Sequence, residues 1–168
     1  MDKKIIEEKM HEFEKIIGYK FKDIKLLEEA MRCEKIQVEN VGKNHDEYSN
    51  EVLALIGDSL LKFAIVHKFR NDKIKTKGEM TTKKKDIEEN EVLHKIMNEE
   101  NWIKYSYNDK HGNWEENIPD HEKIVNKKHD PYIEAIVAAI FYDSNLKTLL
   151  EWIDKILFPL LEKYKKKS

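Results

Sequence analysis

The chain has 168 residues, 40% of them apolar and 38% charged, with a formal net charge of −2. That length gives room for a sizeable core in one domain. The charge balance excludes a uniformly basic nucleic-acid binder, so any such contact must come from local lysine patches. A single cysteine, Cys33, excludes an internal disulfide and fits a reducing compartment. The N-terminus lacks the apolar core of a signal peptide, and no run approaches the about 18 apolar residues that span a bilayer. The expectation is a cytoplasmic protein (the nucleus being the alternative) with no membrane partner. Five Gly and three Pro beside abundant Lys, Glu, Leu and Ile favour an all-α fold.

Residues 3–17 read as an amphipathic helix, with Ile5, Ile6, Met10, Phe13, Ile16 and Ile17 on one face and Gly18 ending it. A second helix follows from Phe21, with Asp23 as a plausible cap. Residues 34–48 are polar, carry Gly42 and read as a loop. A long central helix is expected over 49–70, then a charged connection from Asn71 to Lys77. Thr81 or Thr82 is expected to cap a helix over about 82–99. Residues 105–128, with Gly112 and Pro119, read as a long loop of the kind that is functional or mobile. Asp130 followed by Pro131 is a helix start, and residues 145–165 form the last helix, which Pro159 is expected to kink or shorten.

Two of these helices carry the chemistry. Residues 50–61 form a largely apolar stretch that carries two acids, Glu51 and Asp58, with Gly57 between. The two acids are seven residues apart, so they share a face. A glycine inside a helix costs about 1 kcal/mol against alanine, so Gly57 marks close approach of another backbone. From Tyr132 to Tyr142 only Glu134 is charged. A helix apolar all round is buried, and its lone carboxylate must be paired, protonated or bound to a metal. Facing one another, the two helices would form a carboxylate cluster suited to Mg²⁺ or Mn²⁺. The competing reading is a core helix with a solvated acidic edge.

Five phrases in order then resemble the ribonuclease III endonuclease domain. Ile17-Gly-Tyr-Lys-Phe-Lys-Asp-Ile-Lys-Leu-Leu-Glu-Glu-Ala30 is similar to that family's opening phrase, and Asn50 through Leu61 resembles its signature Asn-Glu-x-Leu-Glu-Phe-Leu-Gly-Asp-x-x-Leu. Gly78-Glu-Met-Thr, Glu89-Asn-Glu-Val-Leu93 and Glu134-Ala-Ile-Val-Ala-Ala-Ile-Phe-Tyr-Asp143 fall where the family has related phrases. The resemblance spans about residues 10–160 of a single domain expected over 1–168, with no double-stranded RNA-binding domain following. It implies an all-α homodimer that cuts double-stranded RNA with Mg²⁺, and it carries over Glu51, Asp58 and Glu134 as catalytic acids. Two acids do not carry over. Ala54 stands where active members have a second glutamate, and Pro131 where they have an aspartate, with Asp130 one residue earlier.

Glu51 and Asp58 are separated by about 10.5 Å of helix rise, too far to share one ion. The expected metal ligands are therefore Asp58 and Glu134, with Asp130 as a third; the alternative for Asp130 is a simple helix cap. The central helix is apolar on several faces, which calls for a second copy to cover it. The resemblance places Leu55, with Ile56 beside it, at that dimer seam. Lys83, Lys84, Lys127 and Lys128 are candidate RNA phosphate contacts, set against the plainer reading of solvated charge runs. No zinc spacing and no phosphate-binding glycine loop is present. Three functions follow: an Mg²⁺-dependent endoribonuclease, a non-catalytic ribonuclease III-like RNA-binding or scaffold subunit, and a helical protein-interaction module.

Overall fold

The computed structural model describes residues 2–40, 42–88, 90–108, 113–114 and 130–165. Helix α1 (Lys3–Ile17) starts on Asp2, whose carboxylate accepts from the Lys4 N–H at 2.9 Å. It ends at Gly18, which takes the left-handed φ of 68° that glycine adopts without strain. Ile6, Met10, Phe13 and Ile17 are buried, while Ile5 and Ile16 stay about half exposed, so the core stripe is narrower than the sequence suggests. Phe13 stacks on Tyr105 and meets Trp102 edge-on. Helix α2 (Ile24–Met31) is capped by Asp23 as expected.

Residues 34–48 depart from the loop reading. Strands β1 (Lys35–Asn40) and β2 (Lys43–Tyr48) pair antiparallel, Lys35 opposite Tyr48, and Gly42 turns between them with φ 73°. The alternation of Ile36 and Val38 was the signal, masked by the polar residues around it. Ile36 remains 41% exposed, while Tyr48 packs partly against the core.

Helix α3 (Glu51–Asn71) follows, then α4 (Lys77–Glu88) and α5 (Asn90–Glu99). Helix α4 begins earlier than predicted. Thr76, not Thr81 or Thr82, receives a first-turn N–H, that of Glu79 at 3.2 Å. Thr81 and Thr82 lie inside the helix and donate back to the carbonyls of Lys77 and Gly78. A 3₁₀ turn (Ile103–Tyr105) leads into the short pair β3 (Tyr107–Asn108) and β4 (Asn113–Trp114).

Helix α6 (Tyr132–Asp143) is the centre of the molecule, with Tyr132, Ile133 and residues 135–140 all buried. It packs chiefly on α3 and next on α2. The last segment runs as α7 (Leu146–Trp152), a π-helical turn (Ile153–Leu157) and α8 (Phe158–Tyr164). Pro159 has no N–H to close an α-helical turn, and the wider π turn just before it lets the chain continue instead of breaking. The architecture is all-α, with two small antiparallel strand pairs and one isolated bridge, Arg32 to Tyr107, as its β content among the described residues. No helix among those residues is long and apolar enough to cross a membrane.

Candidate active site

Two local features bring α3 and α6 together. Leu53, Ala54, Gly57, Leu61 and Ala64 form the buried face of α3, and three of these are small. At Gly57 the α6 backbone comes so close that an added Cβ would lie 1.7 Å from the Glu134 carbonyl oxygen. This is the close approach expected of that glycine, and it sets Glu134 beside the following residue, Asp58.

Glu134 and Asp58 face one another across the two helices, and the Glu134 pKa is pushed up to about 8. Burial is the main cause, followed by the charge of Asp58; Asp130 adds a smaller push in the same direction. Lys62 acts the other way, and its Nζ lies 2.6 Å from Asp58 Oδ2. An acid whose pKa is raised by burial and further by a second acid facing it marks a place where a cation would be welcome.

The other predicted acids are held differently. Glu51, at the start of α3, accepts from the Tyr48 N–H at 2.9 Å and so ties β2 to the helix. Asp130 is buried and divided between two partners. Oδ1 accepts weakly from the Tyr132 N–H at 3.3 Å, a partial cap, and Oδ2 takes the Nδ1–H of His94 at 2.7 Å. The Asn98 amide nitrogen donates to the His94 carbonyl at 2.8 Å and lies 3.2 Å from Nε2. Among the described residues, no group of three or more His, Cys, Asp or Glu side chains is gathered closely enough to hold a metal ion. The expected trio of Asp58, Glu134 and Asp130 is thus not drawn together: Asp130 points to α5, and the acid pair stands with Lys62. A two-carboxylate set still fits Mg²⁺, which often takes one or two protein carboxylates and fills the rest with water and phosphate.

Sequence reading missed both Lys62 and His94. Lys62 could have been found as the i+4 neighbour of Asp58, a standard helical ion-pair spacing. His94 lies 36 residues before Asp130, and nothing in the local pattern marks it. The predicted phosphate contacts Lys127 and Lys128 lie outside the described residues. Lys83 pairs with Glu79 along α4, and α4, which also carries Lys84, has α3 and α8 as its main neighbours. On the outer side of α3, Val52 and Leu55 are 67% and 69% exposed and Phe63 is 48% exposed, with Ile56 partly covered. A groove of about 370 Å³ between α3 and α7 is lined by His67, Lys68, Asp154 and others but by none of the predicted acids.

Comparison with known proteins bears on the family and the fold. The family described as Ribonuclease III domain matches residues 51–145. Two solved structures of the nuclease domain of ribonuclease III from Campylobacter jejuni share the fold. One is 21% identical, with a TM-score of 0.63, covering 94% of this chain and 96% of that one. Its description concerns structural flexibility in a region involved in that protein's dimer formation. The other is 22% identical, with a TM-score of 0.61, covering 96% of this chain and 97% of that one. No curated protein matches the chain in sequence.

Proposed function

The chain belongs to the ribonuclease III domain family, and from that premise we propose that it cuts double-stranded RNA with a divalent ion, Mg²⁺ or Mn²⁺, at Asp58 and Glu134. The observation that carries this reading is the facing of two acids on closely packed helices, Glu134 being brought beside Asp58 at the Gly57 contact, with its pKa pushed up to about 8 by burial and by the charge of Asp58. A bound divalent ion would supply charge neutralisation at the scissile phosphate and acidify a water ligand. The protein's own part is positional. Gly57 lets α6 approach so that the two carboxyl groups meet, and Glu134 releases its proton when a cation takes up the pair's charge. The His94–Asp130 hydrogen bond anchors the N-terminal end of α6, four residues before Glu134. Lys83, Lys84, Lys127 and Lys128 are assigned to RNA phosphates, in keeping with recognition of A-form duplexes by shape, phosphate and 2′-hydroxyl.

The exposed apolar stripe Val52, Leu55, Ile56 and Phe63 is assigned to a homodimer interface, which would give one site for each strand. Light scattering should give a dimer mass, and Leu55→Glu should shift it to monomer; a monomeric wild type at high concentration would remove this part of the reading.

A non-catalytic RNA-binding or scaffold role is the second reading. It is favoured by Asp130 being taken up by His94, and by an alanine methyl, buried at position 54, where the resemblance expects an acid. Incubation with duplex RNA in Mg²⁺, in Mn²⁺ and in chelator separates the two. The nuclease reading expects cleavage with either ion and none in chelator. It also expects Asp58→Asn or Glu134→Gln to lower the rate by about three orders of magnitude, a loss of several kcal/mol of transition-state stabilisation, without loss of helix content. Binding without cleavage under every condition would establish the second reading.

A further inference from the structure

An i,i+4 lysine–aspartate pair on an open helix face is ordinary, and alone it would carry nothing. Lys62 differs in what its partner is doing. Its Nζ lies 2.6 Å from Asp58 Oδ2, and the charge of that same carboxyl group acts on Glu134 of the facing helix. Among the charges that act on Glu134, those of Asp58 and Asp130 are negative and that of Lys62 is positive. The side chain is 45% exposed, so its flexible four-carbon stem can swing out to solvent without disturbing the core.

We infer that Lys62 is a tethered counter-cation of the acid pair, resting on an Asp58 oxygen that a divalent ion would need and so setting how tightly such an ion is held. The inference rests on the metal-dependent reading above. Two positive charges cannot share one carboxylate oxygen at contact distance without strong repulsion. Ion entry therefore requires the ammonium to leave. The metal-free protein gains from the arrangement, because the acid cluster is partly neutralised while no ion is bound. The protein gives up affinity for the ion in exchange.

The test uses Mn²⁺ alone as the probe, titrated calorimetrically into the metal-stripped chain and into Lys62→Met, which keeps an unbranched side chain of similar length without the charge. Lys62→Gln serves as the second uncharged variant, and circular dichroism confirms that each is folded. Both variants should bind Mn²⁺ at least about tenfold more tightly than wild type. Their melting temperature should fall below wild type in chelator and recover in saturating Mn²⁺. Affinity within about twofold of wild type, or weaker, in both variants overturns the inference while leaving the metal-dependent reading in place. Absence of Mn²⁺ binding in wild type and variants alike overturns both.

Discussion

At the C-terminal end of α6, Asp143 accepts hydrogen bonds from the Tyr19 hydroxyl at 2.7 Å and from the Lys22 and Asp23 N–H groups at about 3 Å. Nine residues earlier on the same helix, Glu134 meets another acid. Burial by itself would raise the pKa of both. At Asp143 the two backbone donors and the tyrosine hydroxyl outweigh it and hold the pKa below the ordinary aspartate value. At Glu134 the charge of Asp58 adds to burial, and the pKa rises to about 8. The two groups are chemically alike and share one helix, so the difference lies in their partners. An acid surrounded by donors is a structural joint, here fastening α6 to the turn between α1 and α2. An acid facing an acid is incomplete until a proton or a cation joins it.

The largest stability effect should come from the backbone contact that creates the second case. Gly57→Ala gains about 1 kcal/mol of helix propensity, but its methyl would collide with the Glu134 carbonyl. Forced separation of α3 and α6 should cost about 3 kcal/mol or more in urea unfolding. A variant as stable as wild type would mean that the helices are not held this closely. Breaking the joint at the other end comes next. Asp143→Ala strands three donors and should cost about 2–3 kcal/mol. Cleavage per folded molecule should stay near wild type, and a large loss of activity in the folded fraction would erase the distinction between the two ends. Ala54→Glu should have the smallest effect and the one most sensitive to metal. Position 54 is 4% exposed, so without an ion the new carboxylate should cost about 1–2 kcal/mol. Mg²⁺ should remove that deficit if the added acid joins the ion. If Ala54→Glu responds to Mg²⁺ no more than wild type, the buried alanine is a packing residue alone.

Much of this was readable from sequence where it was local or periodic. The boundaries of α1, the caps at Gly18 and Asp23, the buried character of α6 and the close approach at Gly57 all follow from spacing within one or two turns. The β1–β2 hairpin was hidden because its alternation is short and its apolar residues are few, and Ile36 is left partly in solvent. Thr76 lost out to Thr81 and Thr82 as the predicted cap because threonines are common in and around this helix start, and only the hydrogen bonds distinguish a cap from an interior hydroxyl. The site divides in the same way. Asp58 and Glu134 could be named from their positions on apolar helices, whereas the capture of Asp130 by His94 depends on how α5 packs beside α6, a long-range contact with no local signature.

The most direct test of the contrast between the two ends is the unfolding free energy of the metal-free protein as a function of pH, for wild type beside Glu134→Gln. With its folded pKa near 8, above the ordinary value of 4.5, Glu134 binds more protons folded than unfolded across that interval. Its contribution to stability is complete below about 4.5 and is lost as pH rises through about 8. Asp143 has the opposite sign: its contribution is present above the ordinary value of 3.8 and is lost as pH falls through its lowered pKa. Glutamine keeps a donor toward Asp58 and does not titrate. From about pH 5 to about pH 8, wild type should therefore lose stability steadily relative to Glu134→Gln, and the gap should level off above that. Two parallel curves over this range would contradict the account, because Glu134 would then be an ordinary carboxylate and not the acid that waits for a cation.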